Sequence, residues 1–168
     1  MKKIILDIKP FQETLHASMC GPASLKIILA YYGIEKSEQE LAILTRCDTE
    51  VGISDADIVD ALESFRLKTF VKNEADFSDI EMWLEKKVPL IVNWFTRGRS
   101  DYDDSEVPDG HYSVVIGLDN THIYLQDPEI GHERKIARED FFNVWFDFSG
   151  PFLKKDELII RQIIAVHK

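Results

Sequence analysis

The chain has few cysteines, few cations and no long apolar run, and each shortage excludes a class of protein. Its 168 residues include two cysteines and carry 20 Lys and Arg against 30 Asp and Glu, for a net charge of −10. Nucleic-acid binding needs clustered cations against the phosphates, so this balance argues against a nucleic-acid partner. A membrane-spanning helix needs about 20 consecutive apolar residues, so we expect no transmembrane segment.

The N-terminus and the cysteine count both favour a cytoplasmic protein. Met1 to Asp7 begins like a secretory signal, but its apolar part, Ile4-Ile5-Leu6, is too short for one. Two cysteines are too few for a disulfide scaffold and fit a reducing compartment. Because neither a repeat nor a linker interrupts the sequence, we expect residues 1–168 to form one domain with its own core.

A cysteine stands at the start of the most clearly patterned segment. We predict a helix from Pro22 to Tyr32 that ends at Gly33, because its apolar residues repeat at the spacing of a buried face: Leu25, Ile28, Leu29 and Tyr32. Free N–H groups and the helix dipole at its first turn favour a negative charge on Cys20, and the thiolate is the nucleophilic form. The alternative is that Cys20 is a small apolar residue at a helix start.

Two downstream segments supply possible partners for this cysteine. His111 begins the apolar run 110–117, which predicts a strand, and Asp127 ends the next predicted strand, 123–127. Cysteine, histidine and a carboxylate are the parts of a nucleophilic triad. His16 is the rival base, but its position places it in the loop before the helix. The other histidines have no metal-ligand spacing: His122, His132 and His167.

Three ordered blocks carry a family resemblance: Cys20–Leu25 with Tyr31-Tyr32-Gly33, Gly110–Gly117, and Asp127-Pro128 with Gly131. They resemble the papain-like cysteine peptidases of the bacteriocin-processing, double-glycine leader type, in a stand-alone form, over residues 11–145. The resemblance implies an α+β papain-like fold, in which an N-terminal helix carrying the cysteine packs on an antiparallel β-sheet. It also implies a peptide or protein substrate and neither a metal nor an organic cofactor. It does not indicate an oligomeric state.

The same resemblance assigns roles to four residues. Cys20 attacks the carbonyl, His111 moves its proton, and Asp127 orients the imidazole. Gln12 and the Cys20 N–H stabilise the oxyanion. Gln12 lies eight residues before Cys20, a longer spacing than is usual in the family, so either the loop between them bulges or Gln12 is a surface residue.

The two predicted strands must pair in one particular register for this triad to form. If Asp119-Asn120 made a two-residue turn, Tyr112 rather than His111 would share a face with Asp127. We therefore predict a three-residue loop, Asp119–Thr121, or a β-bulge. The shared face would then carry small residues that let the cysteine helix pack closely, and its members would be His111, Ser113, Val115, Gly117, Ile123, Leu125 and Asp127.

Other patterns outline the remaining elements. Capping boxes at Ser37/Glu40 and Ser54/Asp57 begin two helices, and Asp76 or Ser78 caps a fourth. The apolar run 88–95 predicts a central strand. Residues 138–145 predict a helix with a buried aromatic stripe, and residues 158–166 a final strand that closes the sheet. The acidic loop 96–109 is interpreted as a solvated loop, with an acidic rim that selects basic substrates, a calcium site or a lid as the alternatives.

Two further functions remain open at this stage. A papain-like fold can serve as a non-catalytic peptide-binding module, although the presence of Cys20, His111 and Asp127 argues for an enzyme. The acyl group could also pass to an amine, as in a transpeptidase or amidase of the phytochelatin-synthase type.

Overall fold

The computed structural model describes residues 2–16, 18–50, 52–96, 110–148 and 154–168. The helices in these ranges are α1 (Cys20–Tyr31), α2 (Glu38–Leu44), α3 (Asp55–Ser64), α4 (Phe77–Glu85) and α5 (Arg138–Val144), with a 3-10 turn at Lys155–Glu157. The strands are β1 (Ile4–Ile5), β2 (Lys68–Lys72), β3 (Leu90–Phe95), β4 (Gly110–Leu118), β5 (His122–Asp127), β6 (His132–Ala137), β7 (Phe146–Phe148), β8 (Leu158–Ile160) and β9 (Ile163–His167). None of these helices is long and apolar enough to cross a membrane.

Seven strands form one antiparallel sheet in the order β2-β9-β3-β4-β5-β6, with β1 also paired to β4. Strands β7 and β8 pair as a separate hairpin. β3 lies in the middle of the sheet, and its first five residues are buried on both faces, as its apolar run predicted. The α+β fold with an antiparallel sheet is confirmed.

Helix α1 begins at Cys20, two residues earlier than predicted, so the cysteine is part of its first turn. Its predicted apolar face is buried, with Leu25, Ile28 and Leu29 fully inaccessible. Gly33 has a φ of +79°, the left-handed conformation in which a helix commonly ends. The helix therefore ends where the sequence predicts and is held on the core along one side.

Local capping fixes the starts of the next three helices. Ser37, Ser54 and Asp76 each accept a hydrogen bond from the backbone three residues later, and the acidic side chain at that position accepts one in return. Each box satisfies two N–H groups that the helix itself leaves without a partner. The predicted boxes at Ser37 and Ser54 are confirmed, and Asp76 is the cap of α4.

A β-bulge sets the register between β4 and β5. Val115 lies opposite Leu125, but Gly117 lies opposite Tyr124, so Ile116 is an extra residue on β4. The turn itself closes with Asp119 N donating to the carbonyl of His122 at 2.9 Å. The predicted bulge is therefore confirmed, and the three-residue loop is not what forms.

The bulge also corrects the predicted composition of the shared face. Gly117 pairs with Tyr124, so it turns away from the face that holds His111 and Asp127. Trp94 covers that face instead, donating its indole N–H to Ser113 at 3.0 Å. The first turn of α1 lies near the ring of Tyr112, since a carbon added at Gly21 would come within 3.7 Å of it.

The C-terminal prediction was wrong in its topology. Residues 158–166 form two strands in different sheets, because Arg161 takes a positive φ of 45° between β8 and β9. β9 lies between β2 and β3 rather than at an edge. In α5, Phe141 is buried but Phe142 is 45% exposed, so the buried aromatic stripe predicted for this helix does not include Phe142. The loop residues 97–109 lie outside the described residues.

Candidate active site

Cys20 occupies the first position of α1 and is 6% exposed. The turn before it is fixed by Ser18, whose hydroxyl donates to the carbonyls of Thr49 at 2.8 Å and Asp48 at 3.3 Å. At a helix N-terminus the first N–H groups have no partner within the helix and present a partial positive charge. The thiol is therefore held where a negative charge is stabilised.

His111 and Asp127 form a buried hydrogen-bonded pair. The distance from His111 Nε2 to Asp127 Oδ1 is 2.7 Å, and each residue is 1% exposed. The second carboxylate oxygen of Asp127 accepts a hydrogen bond from Arg134 Nε, also at 2.7 Å. The backbone N–H of Glu129 donates to Oδ1 at 3.1 Å. Asp127 is therefore fixed by three donors, and it fixes the imidazole in turn.

The surroundings shift the pKa values of both groups in the direction of charge. Burial raises the pKa of Asp127, but the charges and hydrogen bonds of His111 and Arg134 outweigh it and lower the pKa to about 2. Burial lowers the pKa of His111, but Asp127 and the Cys20 thiol outweigh it, so the pKa lies well above 6.5. The geometry thus favours an imidazolium bound to a carboxylate.

Cys20 reaches the same imidazole. The Cys20 side chain lies close enough to His111 for its charge and its hydrogen-bonding capacity to raise the pKa of His111. Since Nε2 is bound to Asp127, we assign Nδ1 as the ring nitrogen that faces the sulfur. The edge-on packing of Trp94, with ring centroids 5.7 Å apart, holds the imidazole from another side. The structure therefore brings Cys20, His111 and Asp127 together.

Two glycines next to the site residues leave no room for a side chain. A side chain at Gly21, next to Cys20, would collide with Ile53. A side chain at Gly110, next to His111, would collide with the carboxylate of Asp147. Neither glycine needs an unusual backbone conformation, so each is required for space rather than for φ.

Gln12 is exposed and lies at the turn that follows Asp127. Its side-chain amide donates to the carbonyl of Glu129 at 3.0 Å, and its side chain packs against Gly131. The next residue, Glu13, donates its backbone N–H to the carbonyl of Pro128 at 2.8 Å. The segment before the cysteine is therefore fastened to the loop after the aspartate, which brings Gln12 near the site despite its long spacing to Cys20.

Glu13 places an unanticipated carboxyl group in the site. Its Oε2 is buried and has no hydrogen-bond partner among the described residues. The pKa of Glu13 is raised to about 7, mainly by burial. The charge of His111 lowers this pKa, but the combined effect of burial and of the nearby acids is larger. Those acids are Glu129, which follows β5, Asp127 at the end of β5, and Glu38 of α2.

The raised pKa of Glu13 predicts a specific dependence of stability on pH. A carboxyl whose folded pKa of about 7 exceeds the ordinary 4.5 binds more protons in the folded state. The free energy of unfolding therefore falls as the pH rises from 4.5 through about 7. We expect Glu13→Gln to be more stable than the wild type at about pH 8 and similar near pH 4.5, measured by urea unfolding.

The control for this prediction is Glu35→Gln, which removes an exposed carboxyl. Its stability relative to the wild type should not change between the two pH values. A Glu13→Gln variant that differs from the wild type by the same amount at both pH values would contradict the assignment.

His111, Asp127 and Glu129 also have the spacing of a metal site. Their potential ligand atoms lie within 4.8 Å of one another, the one group of three or more such residues found in the described ranges. However, Nε2 of His111 is already bound to Asp127, and Arg134 brings a positive charge against the other carboxylate oxygen. The hydrogen-bond network explains this clustering, and the donor set fits a charge relay better than a cation.

Sequence reasoning missed Arg134 and Glu13. Arg134 lies on β6, opposite Leu125 of β5, so its side chain shares a face with Asp127. A hairpin prediction for residues 122–137 could have found it, but the run His132-Glu133-Arg134-Lys135 shows no apolar alternation. Glu13 gives no signal beyond its position next to Gln12.

The antiparallel sheet, the cysteine on the first turn of a helix and the hydrogen-bonded histidine and aspartate together define a papain-like peptidase fold. Solved structures share it. The peptidase domain of Streptococcus ComA, a bifunctional ABC transporter involved in quorum sensing, is 21% identical, with a TM-score of 0.70 over 95% of this chain and 98% of that chain. A C39-like peptidase from Bacillus anthracis is 18% identical, with a TM-score of 0.73 over 100% and 98%.

A third structure, the double-glycine-motif protease of an AMS/PCAT transporter in complex with a leader peptide, is 18% identical, with a TM-score of 0.65 over 99% of both chains. The family model described as Peptidase_C39 like matches residues 5–151, and the chain belongs to this family. A comparison with curated proteins finds no match.

Proposed function

We propose that this protein is a cysteine peptidase that hydrolyses a peptide bond through a Cys20 thioester intermediate. One observation carries the proposal: the imidazole of His111 is held by the buried carboxylate of Asp127 and lies within reach of the Cys20 thiol. A structural cysteine needs neither a histidine nor a helix N-terminus, whereas an activated nucleophile needs both.

The resting state follows from the charges around the imidazole. With the pKa of His111 well above 6.5, its ring holds a proton at neutral pH. We propose that this proton comes from the Cys20 thiol, so that the site rests as a thiolate and imidazolium pair. Asp127 stabilises the imidazolium and holds its orientation, while Arg134 and the Glu129 N–H hold Asp127.

The chemical steps use these groups in order. The thiolate of Cys20 attacks the carbonyl carbon of the peptide bond, and the carbonyl oxygen becomes an oxyanion. When the C–N bond breaks, the imidazolium donates its proton to the leaving amine, which leaves a thioester on Cys20. His111, now neutral, takes a proton from water, which attacks the thioester and releases the carboxylic acid and the thiolate.

The oxyanion requires donors on the far side of the carbonyl from His111. We propose the backbone N–H of Cys20, at the free end of α1, and the side-chain amide of Gln12. The amide of Gln12 carries two N–H groups. One donates to Glu129, which orients the side chain and leaves the second available to the substrate.

The proposed substrate is a peptide or protein cleaved after small residues, in a reducing cytoplasm. The leader peptide bound by the AMS/PCAT protease supports a peptide substrate for a chain of the same fold. A nucleophilic Cys20 must remain a free thiol, which supports a reducing environment. The family and fold support hydrolysis, whereas no observation favours an amine as the acyl acceptor or a purely binding role.

Alkylation of Cys20 tests the proposal without a known substrate. We expect iodoacetamide to label Cys20 quickly at neutral pH, because the thiolate is already formed. Cys47 serves as an internal control, since burial and the Cys20 charge raise its pKa to about 11. Peptide mass spectrometry resolves the two, because trypsin cuts after Lys26 and Arg46 and so separates them.

The His111→Ala variant completes the experiment. Without the imidazolium, labelling of Cys20 at neutral pH should slow by about tenfold or more and recover only as the pH approaches the ordinary thiol value of about 8.5. Labelling of Cys47 should not slow in this variant. If Cys20 and Cys47 label at the same slow rate in the wild type, the site holds no activated nucleophile, and a peptide-binding module becomes the better proposal.

A further inference from the structure

Cys47 lies directly against the segment that carries Cys20. It follows α2 and is half-buried and free. Its Sγ lies 3.6 Å from the carbonyl oxygen of Ser18 and 3.7 Å from that of Asp48. Ser18 is two residues before Cys20 in the chain, so the second thiol of the protein sits beside the turn that presents the first.

This contact is part of a tightly bonded arrangement. The Ser18 hydroxyl donates to the carbonyls of Thr49 and Asp48, and Asp48 exchanges two backbone hydrogen bonds of 2.9 Å with Gly52. The two thiols also influence each other, since after burial the charge of Cys20 is the largest cause of the raised pKa of Cys47. The fold therefore holds a second sulfur within electrostatic reach of the nucleophile.

We propose that Cys47 is a resolving thiol: when a peroxide oxidises Cys20, Cys47 closes a Cys20–Cys47 disulfide that inactivates the site reversibly. This inference rests on the proposed function only in requiring that Cys20 be a thiolate beside His111. The chemical steps proposed for peptide cleavage do not use Cys47.

The oxidation proceeds in two balanced steps. The Cys20 thiolate attacks one oxygen of hydrogen peroxide, the O–O bond breaks, and hydroxide leaves; Cys20 becomes a sulfenic acid and the peroxide is reduced. The Cys47 thiol then loses its proton, and its sulfur attacks the sulfur of Cys20. The hydroxide displaced from Cys20 leaves with that proton as water, and an S–S bond joins the two residues.

The charge on Cys20 helps to explain why Cys47 is unreactive before Cys20 is oxidised. While Cys20 is a thiolate, its negative charge helps to hold the pKa of Cys47 at about 11, so Cys47 carries almost no thiolate. Sulfenic acid formation removes that charge from Cys20. The pKa of Cys47 then falls at the moment when an attacking thiolate becomes useful.

The disulfide would protect the nucleophile. A sulfenic acid without a partner thiol proceeds to sulfinic and sulfonic acids, which thiol reductants do not reverse. A disulfide is reversed by a dithiol reductant, which restores both thiols. We therefore expect peroxide to inactivate the wild type reversibly and a variant without Cys47 irreversibly.

The experiment compares the wild type with Cys47→Ser, which keeps a hydroxyl of similar size at the Ser18 contact. Both proteins are treated with hydrogen peroxide, then divided, and one half is reduced with dithiothreitol. Intact mass, labelling of Cys20 by iodoacetamide and non-reducing tryptic peptides are measured. The wild type should lose two hydrogen atoms, show residues 4–26 joined to residues 47–66, and recover its Cys20 labelling after reduction. Cys47→Ser should gain oxygen atoms and not recover.

Several outcomes would overturn the inference while leaving the proposed function intact. One is irreversible oxygen addition to Cys20 in the wild type at the same rate as in Cys47→Ser. Another is a disulfide that joins two molecules through Cys47. A third is a Cys20 that iodoacetamide labels quickly but peroxide does not change. If Cys20 reacts with neither reagent, the nucleophile itself is absent and the proposed function fails as well.

Discussion

Replacing Cys20 by serine is expected to lower kcat/KM for peptide cleavage by about 10⁴-fold or more, because the hydroxyl of serine is not ionised at neutral pH and the site is arranged for a thiolate. A suitable probe is a fluorogenic peptide with Gly-Gly before the cleaved bond. The free energy of unfolding should change by less than about 1 kcal/mol, since the side chain keeps its size. A loss of activity with retained stability assigns the effect to chemistry.

Two controls sharpen this result. Cys47→Ser should keep its activity under reducing conditions, which shows that the loss is specific to one thiol. The double variant Cys20→Ser, His111→Ala should be no less active than Cys20→Ser alone, since groups that act as one unit are strongly non-additive. Losses that multiply in the double variant would mean that Cys20 and His111 act independently, contrary to the proposed relay.

Replacing Asp127 by alanine should reduce both activity and stability. The imidazole of His111 loses the acceptor that orients it, for which we expect a fall in kcat of about 10²–10⁴-fold. The change also leaves Arg134 and His111 without the carboxylate that neutralises them in a buried site. Removing one partner of a buried ion pair costs about 3–5 kcal/mol, measured by urea unfolding near pH 7.

The pH dependence of this loss provides an independent check. The pKa of Asp127 is lowered from 3.8 to about 2, so its contribution to stability is present above 3.8 and disappears as the pH falls through about 2. The stability difference between the wild type and Asp127→Ala should therefore shrink in acid. Asp60→Ala, which removes an exposed carboxylate from α3, should match the wild type at every pH. A difference that does not change with pH would separate Asp127 from the ion pair.

The parts of the fold that could be predicted are those decided by neighbours in the sequence. Capping boxes at Ser37 and Ser54 need only residues three apart, and the apolar run of β3 shows that it is buried on both sides. Cys20 and His111 could be proposed because each stands at an element boundary marked by glycine and proline. The motif blocks around them then supplied the order of the triad.

What could not be predicted depends on contacts between distant segments. β6 was not predicted because its residues are mostly polar and show no apolar alternation. It forms a strand because it pairs with β5. Arg134 was lost with it. The break between β8 and β9 depends on the positive φ of Arg161, a conformation that an arginine in the sequence does not predict. The position of Gln12 is fixed by Glu129, 117 residues away.

The bulge at Ile116 decides which side chains of the β4–β5 hairpin lie on the same face of the sheet. Side chains alternate between faces along a strand, so one residue more or fewer within the paired part of β4 or β5 turns His111 or Asp127 to the wrong side of the sheet. Two residues more or fewer restore the arrangement. The carbonyl of Ile116 accepts a hydrogen bond from Leu6 at 2.7 Å, which anchors the extra residue and so keeps the pairing in place. The length of these paired strands, unlike that of the turn, should therefore vary by even steps in related chains that retain the triad.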